Sequence, residues 1–279
     1  MERRNFIKGL GITAASVALY SPCLSSYGRL PVKTPNFSLL LGTVEELMKT
    51  DPQGTLKKIA EIGFKGLEYP DTFGLPTSAL KKIIADNHLY SLGGGYSMSE
   101  LIKNFDTITT TYNEIGKKYV LCYWPWLDSG KNKTIENWKE TCERFNDVGK
   151  RFKQAGLRLG YHNHDIEFIP TNNQIPYDTV LNYTDPEFVT IQMDIWWIYT
   201  GGQDPISFIE RYPGRFELCH IKTKEILNND AAVQKLNYKK ILGHSKKAGF
   251  KEFILENEKG IAEPIDFIEK SYRYMKTLF

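Results

Sequence analysis

The stretch Leu157-Arg-Leu-Gly-Tyr-His-Asn-His-Asp165 reads as a short apolar strand that ends in two histidines and an acid. Successive side chains of a strand alternate between faces. Arg158, Gly160, His162 and His164 therefore share one face, and Leu157, Leu159 and Tyr161 take the other. Two imidazoles on one face at a strand's C-terminal end point to a metal or catalytic site. A pair of hydrogen-bonded surface histidines would give the same local pattern, so the choice rests on whether the pattern recurs.

It recurs in both directions along the chain. Strand-like runs cover residues 37–42, 64–69, 89–93, 118–126, 157–162, 189–194, 216–220 and 252–256. Helical spacing fills residues 56–63, 78–86, 98–115, 135–155, 205–211, 238–248 and 264–275. Gly63, Gly116 and Gly156 close three of these helices, as glycine does at a helix C-terminus. Thr43 is placed to cap the helix after the first strand, with Glu45 and Glu46 in its first turn. Eight strand–helix repeats with short connections predict an α/β parallel fold, best fitted by a closed (β/α)8 TIM barrel over residues 36–279. A doubly wound sheet is the alternative, but no glycine-rich phosphate fingerprint follows the first strand. Gly93-Gly-Gly95 reads as a bend from strand to loop, not as a nucleotide cradle.

The 279 residues, 41% of them hydrophobic, are enough for one large core. The net charge of +3 is spread along the chain, with no basic run interleaved with aromatics, so charge gives no indication of nucleic acid. Met1 to Lys8 is charged and precedes an apolar run from Gly9 to Tyr20, the layout of a secretory signal. Arg3-Arg4 followed by Phe6-Ile7-Lys8 resembles a twin-arginine signal. Residues 1–28 are therefore expected to be a signal peptide and the mature protein to be exported, to the periplasm. The apolar run is too short to span a membrane comfortably, so no stable insertion is expected after cleavage. Cys122, Cys142 and Cys219 show no pairing pattern and read as small core residues.

Active residues of a barrel of this type sit at the C-terminal strand ends and point inward. Those ends supply Glu68, His162 with His164, Asp194, His220 with Lys222, and Glu256 with Glu258. Carboxylates and imidazoles without thiolates suit a divalent ion such as Mn, Co, Zn or Mg.

With these residues in view, the chain resembles the xylose isomerase-like barrel family, which includes sugar phosphate isomerases/epimerases and inosose dehydratases. The resemblance runs from about Phe37 to Phe279. It is carried by Gly63-Phe-Lys-Gly-Leu-Glu-Tyr69, Tyr161-His-Asn-His-Asp-Ile-Glu-Phe168, Met193-Asp-Ile-Trp-Trp-Ile-Tyr-Thr-Gly-Gly202, Cys219-His-Ile-Lys222 and Phe253-Ile-Leu-Glu256. It implies a divalent metal held by Asp194, His220 and Glu256, with His162 standing where the family commonly has Glu. Either a histidine then does the proton work of that Glu, or His164 or Glu167 supplies the ligand, or the reaction differs. The family's His-x-Lys-Asp motif is altered to His220-Ile-Lys-Thr223, and Thr223 reads as a harmless surface change.

The expected chemistry is proton transfer next to a carbonyl of a small-molecule carbohydrate. The metal would polarise the carbonyl and stabilise an enediolate. His162 or His164 would be the base, because imidazole exchanges protons near neutral pH. Lys222 would neutralise the oxyanion or hold a hydroxyl, and Glu68 and Glu258 are further catalytic candidates. Trp124, Trp126, Trp196 and Trp197 lie near strand ends, where an indole can stack on a sugar face. An isomerase or epimerase is the first expectation. A lyase that expels a β-oxygen from the same intermediate is the close alternative, and His162-Asn-His164 tilts towards it. A DNA-repair endonuclease would need more ligands and a basic groove. A non-catalytic carbohydrate-binding barrel is the reading if His162 has cost the site its metal. A homodimer is compatible with all of these.

Overall fold

Eight strands carry the architecture: β1 (Phe37–Leu40), β2 (Gly66–Glu68), β3 (Tyr90–Ser97), β4 (Tyr119–Trp124), β5 (Arg158–His162), β6 (Val189–Asp194), β7 (Phe216–Ile221) and β8 (Glu252–Leu255). Each pairs in parallel with its neighbours in sequence, and β8 returns to pair with β1, so the sheet closes. The computed structural model describes residues 35–129, 133–228, 236–257 and 261–279. The expected signal peptide at residues 1–28 and the candidate Glu258 lie outside the described residues.

Alternation along the strands builds two apolar layers. Outward residues such as Leu39, Leu67, Val120, Leu159 and Ile191 belong to the large core shared with the helices. Inward residues Leu92, Tyr119, Leu121, Leu218 and Ile254 form a separate cluster that fills the barrel. Near the N-terminal strand ends the interior is closed by paired polar groups. Glu252 accepts from Ser38 Oγ at 3.2 Å and Tyr90 Oη at 2.7 Å. Glu217 accepts from Tyr119 Oη at 2.9 Å and meets Arg158 at 2.8 Å and Lys251 at 2.9 Å.

Several local expectations change. β3 does not end at Gly93 but continues through Gly94 and Gly95 to Ser97. A Cβ on Gly94 would lie 2.1 Å from the Tyr69 carbonyl oxygen, and one on Gly95 would lie 2.2 Å from the Tyr123 ring. The glycines therefore serve close approach to the neighbouring strands. Residues 98–115 form two helices, Met98–Lys103 and Phe105–Ile115, broken at Asn104. Residues 238–248 likewise divide into Tyr238–Leu242 and Ser245–Ala248, and helices Pro176–Tyr183 and Ile195–Thr200 were not anticipated.

Thr43 caps no helix, because Leu41–Val44 is a 3-10 turn. Its hydroxyl instead accepts from Asn257 N at 3.1 Å and faces Asn257 O at 3.4 Å, joining the ends of β1 and β8. Gly63, Gly116 and Gly156 do follow helices with positive φ, as expected. The three cysteines are buried and free. Among the described residues no helix is long and apolar enough to cross a membrane.

Candidate active site

His162 ends β5, Asp194 ends β6, His220 lies one residue before the end of β7, and Glu256 follows β8. The parallel register carries all four to the same end of the barrel, and one ligand atom from each lies within 4.8 Å of the others. The two histidines and Asp194 are buried, and Glu256 is largely so.

Glu68, at the end of β2, orders this group from behind. It is fully buried and accepts from Gln192 Nε2 at 2.7 Å, from His220 Nε2 at 3.1 Å and from Tyr123 Oη. Three donors reach its oxygens, so Glu68 braces Tyr123, Gln192 and His220 around the site. A carboxylate only accepts, so the Gln192 amide turns its NH2 to Glu68 and its carbonyl oxygen to His162 Nδ1, 3.0 Å away. His162 Nδ1 must then carry the proton, which leaves a lone pair on Nε2. Burial, followed by the charges of His220 and His164, pushes the His162 pKa well down and keeps the ring neutral.

His220 is held between two carboxylates, with Nε2 on Glu68 and Nδ1 2.7 Å from Glu256. Burial opposes its charge, but Glu68 and Glu256 outweigh burial and raise the pKa to about 10. Burial also opposes ionisation of Glu256, yet the hydrogen bond and charge of His220 hold its carboxyl well below the usual range. Asp194 accepts from Trp197 N at 3.0 Å through Oδ1, whereas its buried Oδ2 has no hydrogen-bond partner. Burial raises its pKa to about 7 against the pull of Lys222, whose Nζ is 3.8 Å away. Lys222 Nζ is also 3.5 Å from Glu256 and 4.4 Å from the centre of the Trp197 ring.

An orphaned buried carboxylate oxygen, a neutral imidazole with a fixed lone pair and two further N/O donors make a set that fits one divalent cation. The middle residue of His162-Asn163-His164 faces the other way and fixes the Asp194 backbone. Asn163 Oδ1 accepts from Asp194 N at 3.0 Å and Tyr177 Oη at 3.2 Å, while Nδ2 donates to Asp194 O at 3.2 Å. Glu167 accepts from His164 N at 3.0 Å and from Tyr161 Oη, and burial pushes it up to about 7. It shares the outer face with Tyr161 and stays out of the cluster. His164 lies at the edge, its ring 4.8 Å from that of His162 and 5.8 Å from that of Trp197, with Nδ1 unpartnered.

The tryptophans separate. Trp126 is only 4% exposed and packs edge-on against Trp138 at 4.4 Å, so its ring is taken up by the core. Trp196 is half-buried beside Tyr199, and Trp124 is 37% exposed at the end of β4. Trp197 is the indole that faces Lys222 and His164. Thr223 is no surface change: it is fully buried and shares a 2.7 Å hydrogen bond with Ser271 of helix Pro264–Lys276. Tyr123, Gln192 and Asn163 were missed as site residues. Counting back two positions from Asp194 finds Gln192 on the same inward face; Tyr123 and Asn163 carry no such signal.

Residues 56–276 match the xylose isomerase-like TIM barrel family. The chain belongs to that family. Among its relatives, inosose dehydratase 2 of Bacillus cereus is 22% identical over an alignment of 189 residues that covers 60% of this chain and 61% of that one. The chain thus spans about three fifths of that relative's length. The inosose dehydratase of Clostridium beijerinckii is 21% identical over 262 residues, covering 79% of this chain and 87% of its own. Among solved structures, a sugar phosphate isomerase/epimerase from Parabacteroides distasonis superposes with a TM-score of 0.75 at 22% identity, covering 88% of this chain and 95% of the other. At this level of identity the superposition shows a shared barrel fold.

Proposed function

We propose that the protein is a divalent-metal-dependent isomerase or epimerase of a keto-sugar or related carbohydrate. The observation that carries this reading is the convergence of His162, Asp194, His220 and Glu256 around a buried carboxylate oxygen that has no donor. A divalent ion there would supply Lewis acidity to a substrate carbonyl and charge stabilisation to its enediolate. His162 is the fourth ligand, because Gln192 fixes its lone pair and Glu167 is held elsewhere. That leaves His164 for proton transfer. Burial lowers its pKa, so the ring is neutral at pH 7, and Nδ1 has no competing partner. Lys222 sits where an ammonium can hold a developing oxyanion, and Trp197 offers a face for the sugar ring.

A second reading is supported by the relatives named inosose dehydratase. It starts with the same proton removal, after which His164 protonates a departing β-hydroxyl. The signal-like residues 1–28 support an exported protein acting in the periplasm.

The test is metal analysis of protein purified without chelator, followed by incubation with keto-sugars in deuterated water. Uptake of one deuteron with retained composition supports the isomerase, and loss of water supports the dehydratase. No bound metal, and none taken up from added Mn, Co or Zn, would sink both.

A further inference from the structure

Beside the metal-binding group, over the ends of β1 to β4, lies a cleft of about 580 Å³ that the four ligands do not line. Pro70, Phe73 and Tyr123 give it apolar walls, and Glu45, Lys49 and Asp71 give it charge. Tyr123 is the partition: one side borders the cleft, its ring is 5.0 Å from that of His162, and its hydroxyl donates to Glu68. Tyr123 is thus shared by the cleft and the cluster, which places the two side by side.

The chemistry of the walls selects what the cleft holds. Among the described residues of the lining Lys49 is the one cation, and its Nζ is already 2.9 Å from both Glu45 and Glu46. With Asp71 alongside, the described residues of the lining have an excess of negative charge, which disfavours a phosphate. Aromatic and proline faces beside carboxylate acceptors instead match a sugar ring, which presents C–H faces and hydroxyl donors. The volume falls within the roughly 300–1,000 Å³ of pockets that enclose whole small molecules, more than the terminal carbon of one monosaccharide fills.

Phe73 strengthens the case. It sits at φ +53°, a left-handed conformation disfavoured for a bulky side chain, and its N–H is held by Asp71 Oδ1 at 2.7 Å. The loop thus holds the Phe73 ring at the cleft at a backbone cost that a glycine would remove.

We propose that this cleft is a subsite for the second ring of an unphosphorylated disaccharide or similar glycoside. The proposal rests on the carbohydrate reading of the neighbouring cluster and adds to it the substrate class. The test is calorimetric titration of the full chain with added Mn, using glucose, galactose, glucose 6-phosphate and the disaccharides maltose, cellobiose, lactose and trehalose.

At least one disaccharide is expected to bind about tenfold more tightly than its monosaccharide, and glucose 6-phosphate no more tightly than glucose. Phe73→Gly, which relieves the strained φ, with a thermal melt to verify folding, should remove the disaccharide advantage while leaving the monosaccharide within about twofold. Asp71→Asn, with a thermal melt to verify folding, should weaken the disaccharide selectively. A panel in which no disaccharide beats its monosaccharide, or in which glucose 6-phosphate binds most tightly, overturns the proposal. Binding needs no turnover, so the two ideas fail separately. Absence of keto-sugar conversion counts against the enzyme reading, and loss of ring preference counts against the subsite.

Discussion

The two ends of the barrel interior use the same kinds of residue to opposite effect. At the N-terminal strand ends, Glu217 and Glu252 are surrounded by Tyr, Ser, Arg and Lys donors. At the C-terminal ends, Asp194 keeps Oδ2 without a donor, and His164 keeps Nδ1 without a partner. Burial raises the Asp194 pKa to about 7, whereas Lys251, Tyr119 and Arg158 hold Glu217 below its ordinary value although burial opposes them. A satisfied carboxylate closes a barrel, and an unsatisfied one is ready for a ligand. The contrast locates function better than the count of charged residues at each end.

The widest gap between the ends should come from Asp194→Ala. Activity is expected to fall by roughly 10³-fold, with metal lost from the protein, because the ion's Lewis acidity is worth several kcal/mol. The melting temperature of the metal-free protein should fall only modestly, since the lost Trp197 N–H bond and Lys222 ion pair are partly offset by removal of a buried carboxylate. A large drop in stability would make Asp194 a structural group like Glu217.

Gln192→Leu should weaken metal binding and activity by about 10–100-fold, as loss of the group that orients a ligand does. Equal metal affinity in the variant would break the assignment of the His162 tautomer. At the other end, Glu217→Ala should leave turnover per folded molecule unchanged. It should destabilise the fold by about 2 kcal/mol in urea titration, less than a fully dry ion pair because the side chain is partly wet.

The smallest effect is a proton count. The folded His220 pKa of about 10 lies above the ordinary 6.5, so its stabilisation is complete below pH 6.5 and is lost as pH rises through about 10. Metal binding must displace the proton between His220 and Glu256, so affinity should climb with pH. About one proton should be released near pH 7.5, read by calorimetry in buffers of different ionisation enthalpy.

Much of this geography was legible in the sequence because strand period and strand ends are local properties. His162, Asp194, His220 and Glu256 could be read as ends of four apolar runs. The barrel followed from their repetition. What escaped depended on a neighbouring strand. Gly94 and Gly95 read as a bend because only Tyr69 and Tyr123, on the strands alongside, show why they cannot carry a side chain. Asn163 looked like a spacer between histidines until Asp194 lay beside it. Glu68 and Trp126 sit at strand ends as read, yet Gln192, Tyr123 and Trp138 occupy their surfaces. Thr223 reads as exposed until Ser271 is packed against it.

The bond between Thr43 and Asn257 spans 214 residues of sequence, as does that between Ser38 and Glu252. Both fasten the seam where β1 meets β8. During synthesis β1 is made first, and its partner β8 arrives only when most of the chain has been translated. For that whole interval one edge of β1 has no partner, and an unpaired edge invites association with other chains. The closing step is therefore both non-local and late, conditions under which folding is slow. A chain truncated before Glu252 would retain every residue of β1 to β7 and still leave two open edges.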